Sequence, residues 1–570
     1  MTFFAMKKIT TPKNIPVIIR FSGLLILLTS FSLTTYAQKP DDWEGDGEIE
    51  AMEIEIVKER QITLPKANRN FDKVPPKPSE ASIKAPVTYD FQSFSFQAPQ
   101  INPQVRPLKL KPESSPDIYG GFLRLGYGNY ASPLIEGYIN NKKDKNKLIG
   151  ARIYHHSSGK GPVDGKNSGS GTTSLSLYGR SLSDAIALSG NFGIENRTTH
   201  FYGYPKGEPI GKDSLKQSFN LIKLGGELSN AKNSDLSYKL GANFSYLADK
   251  YDARESEINL AFKSSYEVDD DSKIDLKADY TVISRKDNKI DAKPRSLFTV
   301  APSYEFLPID DLKLSIGLIA AFENDTIDSK SVHVYPNFKA TYPLSPSVDA
   351  VGYMTGGMEK VSLQTLSNEN LWLAPNVAIF HTNKVLDFGV GLNARLGNKV
   401  AAHAGLGTSL LKNWYSFVNK ENDPSKFNTV YDRGTTKRTN LYVALSYVQS
   451  EMAKFMLRGD FYGYNAGDLS EVWHRPTTKL TANASINVYQ KLIFSADIVA
   501  QGGMKALDPE TDNVVKLDGA FDLNFKAEYL FSPSFSFFVQ LNNITSNKYP
   551  LYLNYPVRGF QGLAGITWSF

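Results

Sequence analysis

From Ile118 to the last residue, apolar and polar positions alternate with a period of two. Ile274, Leu276, Ala278, Tyr280 and Val282 alternate with Lys273, Asp275, Lys277, Asp279 and Thr281. Leu480, Ala482, Ala484, Ile486 and Val488 alternate with Lys479, Thr481, Asn483, Ser485 and Asn487. Phe521, Leu523, Phe525, Ala527 and Tyr529 repeat the pattern against Asp522, Asn524, Lys526 and Glu528, and Phe535, Phe537, Val539 and Leu541 repeat it once more. Successive side chains of a strand point to opposite faces, so each run is a strand with one apolar and one charged face. In a soluble sandwich the charged face meets bulk water; in a transmembrane barrel it meets a wet lumen.

The connections separate these two readings. Short ones fall at Ser181–Asp184, Asn230–Asp235, Val268–Ser272, Ile309–Asp311, Ser345–Ser347, Gly397–Asn398, Ser450–Glu451, Tyr489–Lys491 and Ser532–Ser534. Longer ones lie between them, at 157–171, 204–216, 285–295, 361–383, 419–437, 466–476, 503–516 and 546–558. Short periplasmic turns alternating with long extracellular loops mark outer-membrane barrels. Counting strands on this alternation gives about 22, an even number that returns both ends to the periplasm. Leu371–Phe380 could pass for another strand, but it would make the count odd, so it is assigned to an extracellular loop. The expected fold is therefore an all-β transmembrane antiparallel barrel over 118–570.

The last strand carries Phe560, Gly562, Ala564, Ile566, Trp568 and Phe570 on one face and Gln561, Leu563, Gly565, Thr567 and Ser569 on the other. An aromatic ending frays into water in a soluble protein, whereas a barrel closing on itself uses it. Phe560, Ile566, Trp568 and Phe570 are read as the signal for insertion by the barrel assembly machinery, with outer-membrane lipid as the surrounding solvent.

The other end of the chain agrees. Lys7, Lys8, Lys13 and Arg20 precede the apolar run 21–33, and Thr35-Tyr36-Ala37 supplies small residues for cleavage after Ala37. This is a signal peptide over 1–37, since spanning as a helix needs about 20 apolar residues. Residues 38–117 read as a periplasmic tail, first acidic (Asp41 to Glu59) and then Pro-rich (Pro65 to Pro116). Proline at this density blocks helices and central strands. Phe91, Phe94 and Phe96 are too apolar for a free tail and are expected to dock in the lumen.

Composition changes the picture little. Mean hydropathy is −0.31, yet the chain holds 30 Tyr and 33 Phe, as alternating faces and aromatic girdles require. The absence of Cys excludes a disulfide scaffold and thiolate metal sites. A net charge of +5, mixed in sign along the chain, does not point to nucleic acid. His155 and His156 are adjacent and point to opposite faces of a strand, which suits a polar rim better than a metal site. Asp508, Glu510 and Asp512 lack the Gly turn and terminal Glu of a calcium loop. Asn167-Ser168-Gly169-Ser170-Gly171 reads as a flexible loop and not as a nucleophile elbow. No catalytic set converges and no cofactor is expected, so the sequence does not read as an enzyme.

Three stretches carry a resemblance to a known family. Leu541-Asn542-Asn543-Ile544-Thr545, Tyr549, Tyr555-Pro556-Val557-Arg558-Gly559-Phe560 and Gly565-Ile566-Thr567-Trp568-Ser569-Phe570 resemble the last two strands of TonB-dependent receptors. Leu373-Ala374-Pro375-Asn376, His381-Thr382 and Gly391-Leu392 look like receptor barrels of the Bacteroidota type, as does Leu125-Gly126-Tyr127-Gly128-Asn129-Tyr130. The resemblance covers 118–570 and implies a 22-stranded barrel with a solute transport or receptor role. Such receptors carry an N-terminal globular plug, and 38–117 is too poor in core residues to be one, so a plug-less or plug-reduced relative is expected. Glu53, Ile54, Glu55, Ile56, Val57 and Lys58 alternate and could serve as a TonB box, adding as a strand to a TonB sheet; the other reading of the stretch is a disordered acidic tail with a few aliphatics. The alternative is a non-transporting accessory subunit of an outer-membrane complex, one for barrel or lipopolysaccharide assembly, partnered by other outer-membrane subunits.

Overall fold

The computed structural model describes residues 119–570, apart from 142–143, 145, 206–209, 232–233, 326 and 328–329. The signal peptide with Ala37, the stretch Glu53 to Lys58 and the Phe91, Phe94 and Phe96 cluster lie outside the described residues.

The alternating runs form one 22-stranded antiparallel sheet that closes on itself. Each strand pairs with its neighbour in sequence, and the first, Gly121–Gly128, pairs with the last, Gln561–Ser569. The seam is in register with Arg124 opposite Thr567 and Gly126 opposite Gly565. It ends on a reciprocal pair of backbone bonds, Gly121 N to Phe570 O at 2.8 Å and Phe570 N to Gly121 O at 3.0 Å. Closure removes both sheet edges, the one arrangement in which strands leave no backbone group unpaired in hydrocarbon. No helix among the described residues is long and apolar enough to cross a membrane.

Glycine makes the seam possible. A Cβ on Gly565 would strike the Leu125 carbonyl and come within 2.8 Å of the Phe538 ring. The Phe538 side chain, inward and buried, lies instead across Gly565 and Gly126, and Arg124 stacks on it at 5.3 Å. Arg124 also reaches Glu136 at 3.3 Å and Glu528 at 3.6 Å, so charges on three strands clamp the closing pair from inside.

The outer wall is apolar: Leu125, Ile258, Leu260, Val390, Leu441 and Ile566 are all exposed there. Their sequence neighbours face inward and pair across strands. Lys273 meets Glu305 at 3.4 Å and Lys313 meets the same carboxylate at 2.8 Å, while Lys526 meets Glu528 at 2.9 Å along one strand. The charges that alternate in the sequence thus form a salt-bridged inner wall.

One end of the barrel carries only short turns, such as 183–185, 310–311, 397–399 and 489–491, while the long connections gather at the other. Leu371–Phe380 is loop, as expected, apart from one isolated bridge at Leu373. Two expectations fail. The stretch 419–437 is not a long loop: Val400–Lys420 and Asp423–Gln449 run on as strands well past the wall and turn at 421–422. Three loop-end connections are also tight, at 129–131, 250–253 and 421–422, so the asymmetry is incomplete. Residues 167–171 form the end of a 3-10 turn, Gly165–Ser168, and the start of the strand Ser170–Leu182.

Candidate functional site: the closed mouth of the barrel

The long connections do not splay outward. Residues 360–381 fold into the mouth as a short helix, Leu363–Glu369, followed by an extended strap. Ser362 caps that helix, its Oγ accepting from Thr365 N at 3.0 Å, as serine at an N-cap does. The wall supplies the next acceptor. Glu255 takes the backbone N–H groups of Leu363 at 2.7 Å and Gln364 at 2.9 Å. A carboxylate at the unsatisfied N–H end of a helix is the favourable charge there.

Both ends of the strap meet at one arginine. Arg295 donates Nε and Nη2 to the two oxygens of Asp325, each at 2.8 Å. Its Nη1 donates to Val361 O at 3.0 Å and its Nη2 lies 2.6 Å from His381 Nδ1. Asp325 also accepts from His381 N at 2.8 Å. The strap therefore leaves and rejoins the wall at a single buried guanidinium. Burial, reinforced by the Arg295 charge, pushes the His381 imidazole down to about 3, so it sits there neutral and accepts from Arg295.

Further contacts fasten the strap around the wall. Arg197 reaches Ser367 O at 3.1 Å, Ser245 Oγ reaches Gln364 Oε1 at 3.1 Å and Lys360 reaches Glu257 at 2.6 Å. Glu369 accepts from Tyr415 at 2.6 Å and Arg475 at 2.7 Å, with Arg475 stacked 5.1 Å from the Trp414 ring.

A second layer lies over the first. The strand Val400–Lys420 bulges at Asn413, whose φ is 55°, and the pairing slips between Lys412 and Trp414. Bulges bend strands, and this one tips the hairpin across the mouth. There Phe427 exchanges backbone bonds with the strap, accepting from Ala374 N at 2.8 Å and donating to Trp372 O at 2.9 Å. Near the tip, Lys426 lies 5.1 Å from the Phe201 ring. Phe201 follows the fifth strand, Ile186–His200, and Lys426 sits in the sixteenth, Asp423–Gln449, half the circumference of the 22-stranded wall away. The hairpin crosses the whole opening.

An aromatic knot fills the centre. Tyr555 is fully buried, with ring centroids 4.2 Å from Trp372, 4.6 Å from Tyr202 and 5.5 Å from Phe427. Its hydroxyl donates to Ser425 O. Trp372 Nε1 donates to His200 O at 3.0 Å and Tyr552 OH to Glu369 O at 3.1 Å, so the buried polar tips are satisfied. Gly203 has no side chain because Tyr555 occupies its Cβ space. His474, on the loop 466–477, donates from Nδ1 to Phe417 O at 2.9 Å, and burial lowers it to about 4.

The residues singled out in the sequence fall elsewhere. Phe560, Ile566, Trp568 and Phe570 all lie on the outer face, exposed by 41, 38, 49 and 44%. His155 bonds Thr173 at 2.8 Å, and no group of three metal-ligating side chains exists among the described residues. Asp508 closes a turn, accepting from Glu510 N at 3.0 Å and Thr511 Oγ1 at 2.8 Å. Arg295, Asp325 and Trp372 carried no role in the sequence reading.

No family model matches the sequence, and no curated protein is similar to it. Solved structures are similar in fold. The ferric-catecholate import receptor Fiu of E. coli K12 has a TM-score of 0.61 at 9% identity, covering 80% of this chain and 82% of that one. The FrpB iron transporter of Neisseria meningitidis gives 0.61 at 12%, covering 80% and 82%. The ferric enterobactin receptor PfeA of Pseudomonas aeruginosa gives 0.60 at 10%, covering 79% and 80%. At these identities the likeness is one of fold, and the chain is a 22-stranded closed antiparallel barrel of the kind that outer-membrane receptors adopt.

Proposed function

We propose that this chain is an outer-membrane barrel of the receptor and transporter class, its loop end outward and its N-terminal tail in the periplasm, with the plug reduced or absent. The similar solved barrels are an import receptor, an iron transporter and a ferric enterobactin receptor, which supports the class but not the ligand. The observation that carries the reading is the mouth. A 22-stranded outer-membrane barrel has a lumen wide enough to need plugging, and here the strap 360–381 and the hairpin around 421–422 close it from within the barrel itself. A barrel with its own seal does not depend on a separate plug to avoid leaking.

Planar-bilayer conductance tests this. The full chain is expected to stay closed, and deletion of 362–380 is expected to produce open-channel steps. If that deletion stays closed, another segment occludes the lumen, and deletion of 38–117 asks whether the tail does. The stretch Glu53 to Lys58 serves as the TonB-capturing strand; Ile56→Pro, which removes a ladder donor, should abolish capture by the TonB C-terminal domain, and unchanged capture overturns that assignment.

The depth of the lock favours a second reading, a non-transporting accessory subunit, since the seal is bonded to both sides of the wall. Gentle solubilisation separates the two: stoichiometric recovery with other outer-membrane proteins supports the accessory role, and recovery of a lone chain supports the receptor.

A further inference from the structure

Four arginines around the mouth have counter-ions. Arg295 holds Asp325 at 2.8 Å, Arg475 holds Glu369 at 2.7 Å, Arg197 holds Glu195 at 3.0 Å and Arg285 holds Asp287. Arg558 has no carboxylate at ion-pair distance among the described residues. It lies half-buried in the segment leading to the last strand, and its Nη2 donates to Ser170 Oγ at 2.7 Å. Its Nε is buried with no partner. The titratable groups acting on it are the phenols of Tyr202 and Tyr130 and the imidazole of His156, with no carboxylate among them. Ser132 and Ser158 share a hydrogen bond of 2.9 Å at the tops of the neighbouring strands. His156, Tyr130 and Ser170 are all half-buried, so the cluster is not sealed from solvent.

A guanidinium presents five donors and cannot shed its proton. Withdrawing it from water without a counter-charge is costly, and proteins avoid this unless a partner arrives. Around it a second basic ring, His156, and the hydroxyls of Ser170 and Tyr130 can donate to an anion, while the Tyr202 hydroxyl is committed to Pro556 O at 3.3 Å. We propose that Arg558, with Ser170 and His156, forms a binding site for a small oxyanion borne by a soluble molecule, of the phosphate, sulfate or carboxylate class. The planar fork of arginine suits two oxygens of such a group at once. The inference stands apart from the transport reading, because the site would bind whether or not the barrel conducts.

Isothermal titration of the purified full chain in neutral detergent tests it, with sodium phosphate, sulfate and acetate as probes and chloride holding ionic strength constant. At least one probe should bind saturably. Arg558→Gln should weaken that binding by ~tenfold or more, as loss of one partner of a buried charge pair does. Arg558→Lys, a point charge without the fork, should retain part of it, and His156→Gln should weaken it less than Arg558→Gln. Absence of saturable binding by the unsubstituted chain overturns the proposal, as do equal affinities for it and Arg558→Gln. Binding that requires added anionic phospholipid, with none to inorganic phosphate, also overturns it in favour of a lipid headgroup. Should Arg558→Gln fail to give a folded, heat-modifiable band, the unsubstituted and Arg558→Lys titrations decide alone.

Discussion

Arg295 grips both carboxylate oxygens of Asp325, Nε and Nη2 each at 2.8 Å, and also ties Val361 and His381 at the two ends of the strap across the mouth. The two residues come from different parts of the wall, the strand Arg295–Ile309 and the connection 324–331. Their pairing makes the seal part of the wall.

Replacing Arg295 by Ala should therefore free the strap without dissolving the barrel. Breaking a buried ion pair by removing one partner costs about 3–5 kcal/mol, and here the cost falls on the mouth, while the ladders of the wall are untouched. The check is maleimide labelling of Ser367→Cys, a position buried completely in the closed state. Labelling should be slow with Arg295 present and at least ~100-fold faster with Arg295→Ala, since each 1.4 kcal/mol is tenfold. Equal rates would remove Arg295 from the latch.

Acid should loosen the same seal. His381 and His474 are held neutral in the closed mouth, lowered to about 3 and about 4, mainly by burial. In an opened mouth each returns to about 6.5. Between these values the open form binds more protons, so closure is fully favoured above about pH 6.5 and weakens as pH falls toward 4. Each histidine contributes a slope of up to about 1.4 kcal/mol per pH unit in that window. Labelling of Ser367→Cys, corrected for thiol reactivity with a free peptide, should quicken between pH 6.5 and 4.5. A flat profile would mean that the imidazoles stay buried when the strap moves.

Tyr555→Ala should cost the mouth more than any single polar change. It removes a fully buried ring that touches Trp372, Tyr202 and Phe427, and aromatic-to-alanine truncations in cores cost about 3–5 kcal/mol. Trypsin cleavage after Lys426, whose side chain lies over Phe201 and Tyr251, should become rapid. Resistance equal to that of the parent chain would show the knot to be incidental.

Closure of the barrel itself should fail in Gly565→Val. The added carbons collide with the Leu125 carbonyl and the Phe538 ring at the seam. The expected result is loss of the heat-modifiable folded band. Gly463→Ala is the control, because nothing lies within 4 Å of its Cβ position. If both variants fold equally well, the seam tolerates displacement of Phe538.

The wall was legible because its rule is local. A period-two pattern decides which side of a strand each residue faces, and turn length decides which strand follows, so the strand count and the non-strand state of 371–380 could be read directly. The failure at 419–437 is instructive. Its turn residues, Asn419 to Pro424, resemble those of a loop, but Lys420–Asp423 and Asn419–Phe427 pair across a tight bend. Polar composition cannot distinguish a loop from a hairpin that stands clear of the membrane.

What the sequence determined by itself is the barrel: the apolar outer face, the charged inner face, the even number of strands and the aromatic last strand. These follow from alternation along the chain. Only the tertiary structure decided that the strap and the hairpin lie across the mouth of the barrel. Arg295, Asp325 and His381, like Tyr202, Trp372, Phe427 and Tyr555, come together from connections up to half the circumference apart. A bond across a lumen depends on where the closed wall places its partners, and no spacing along the chain encodes that distance.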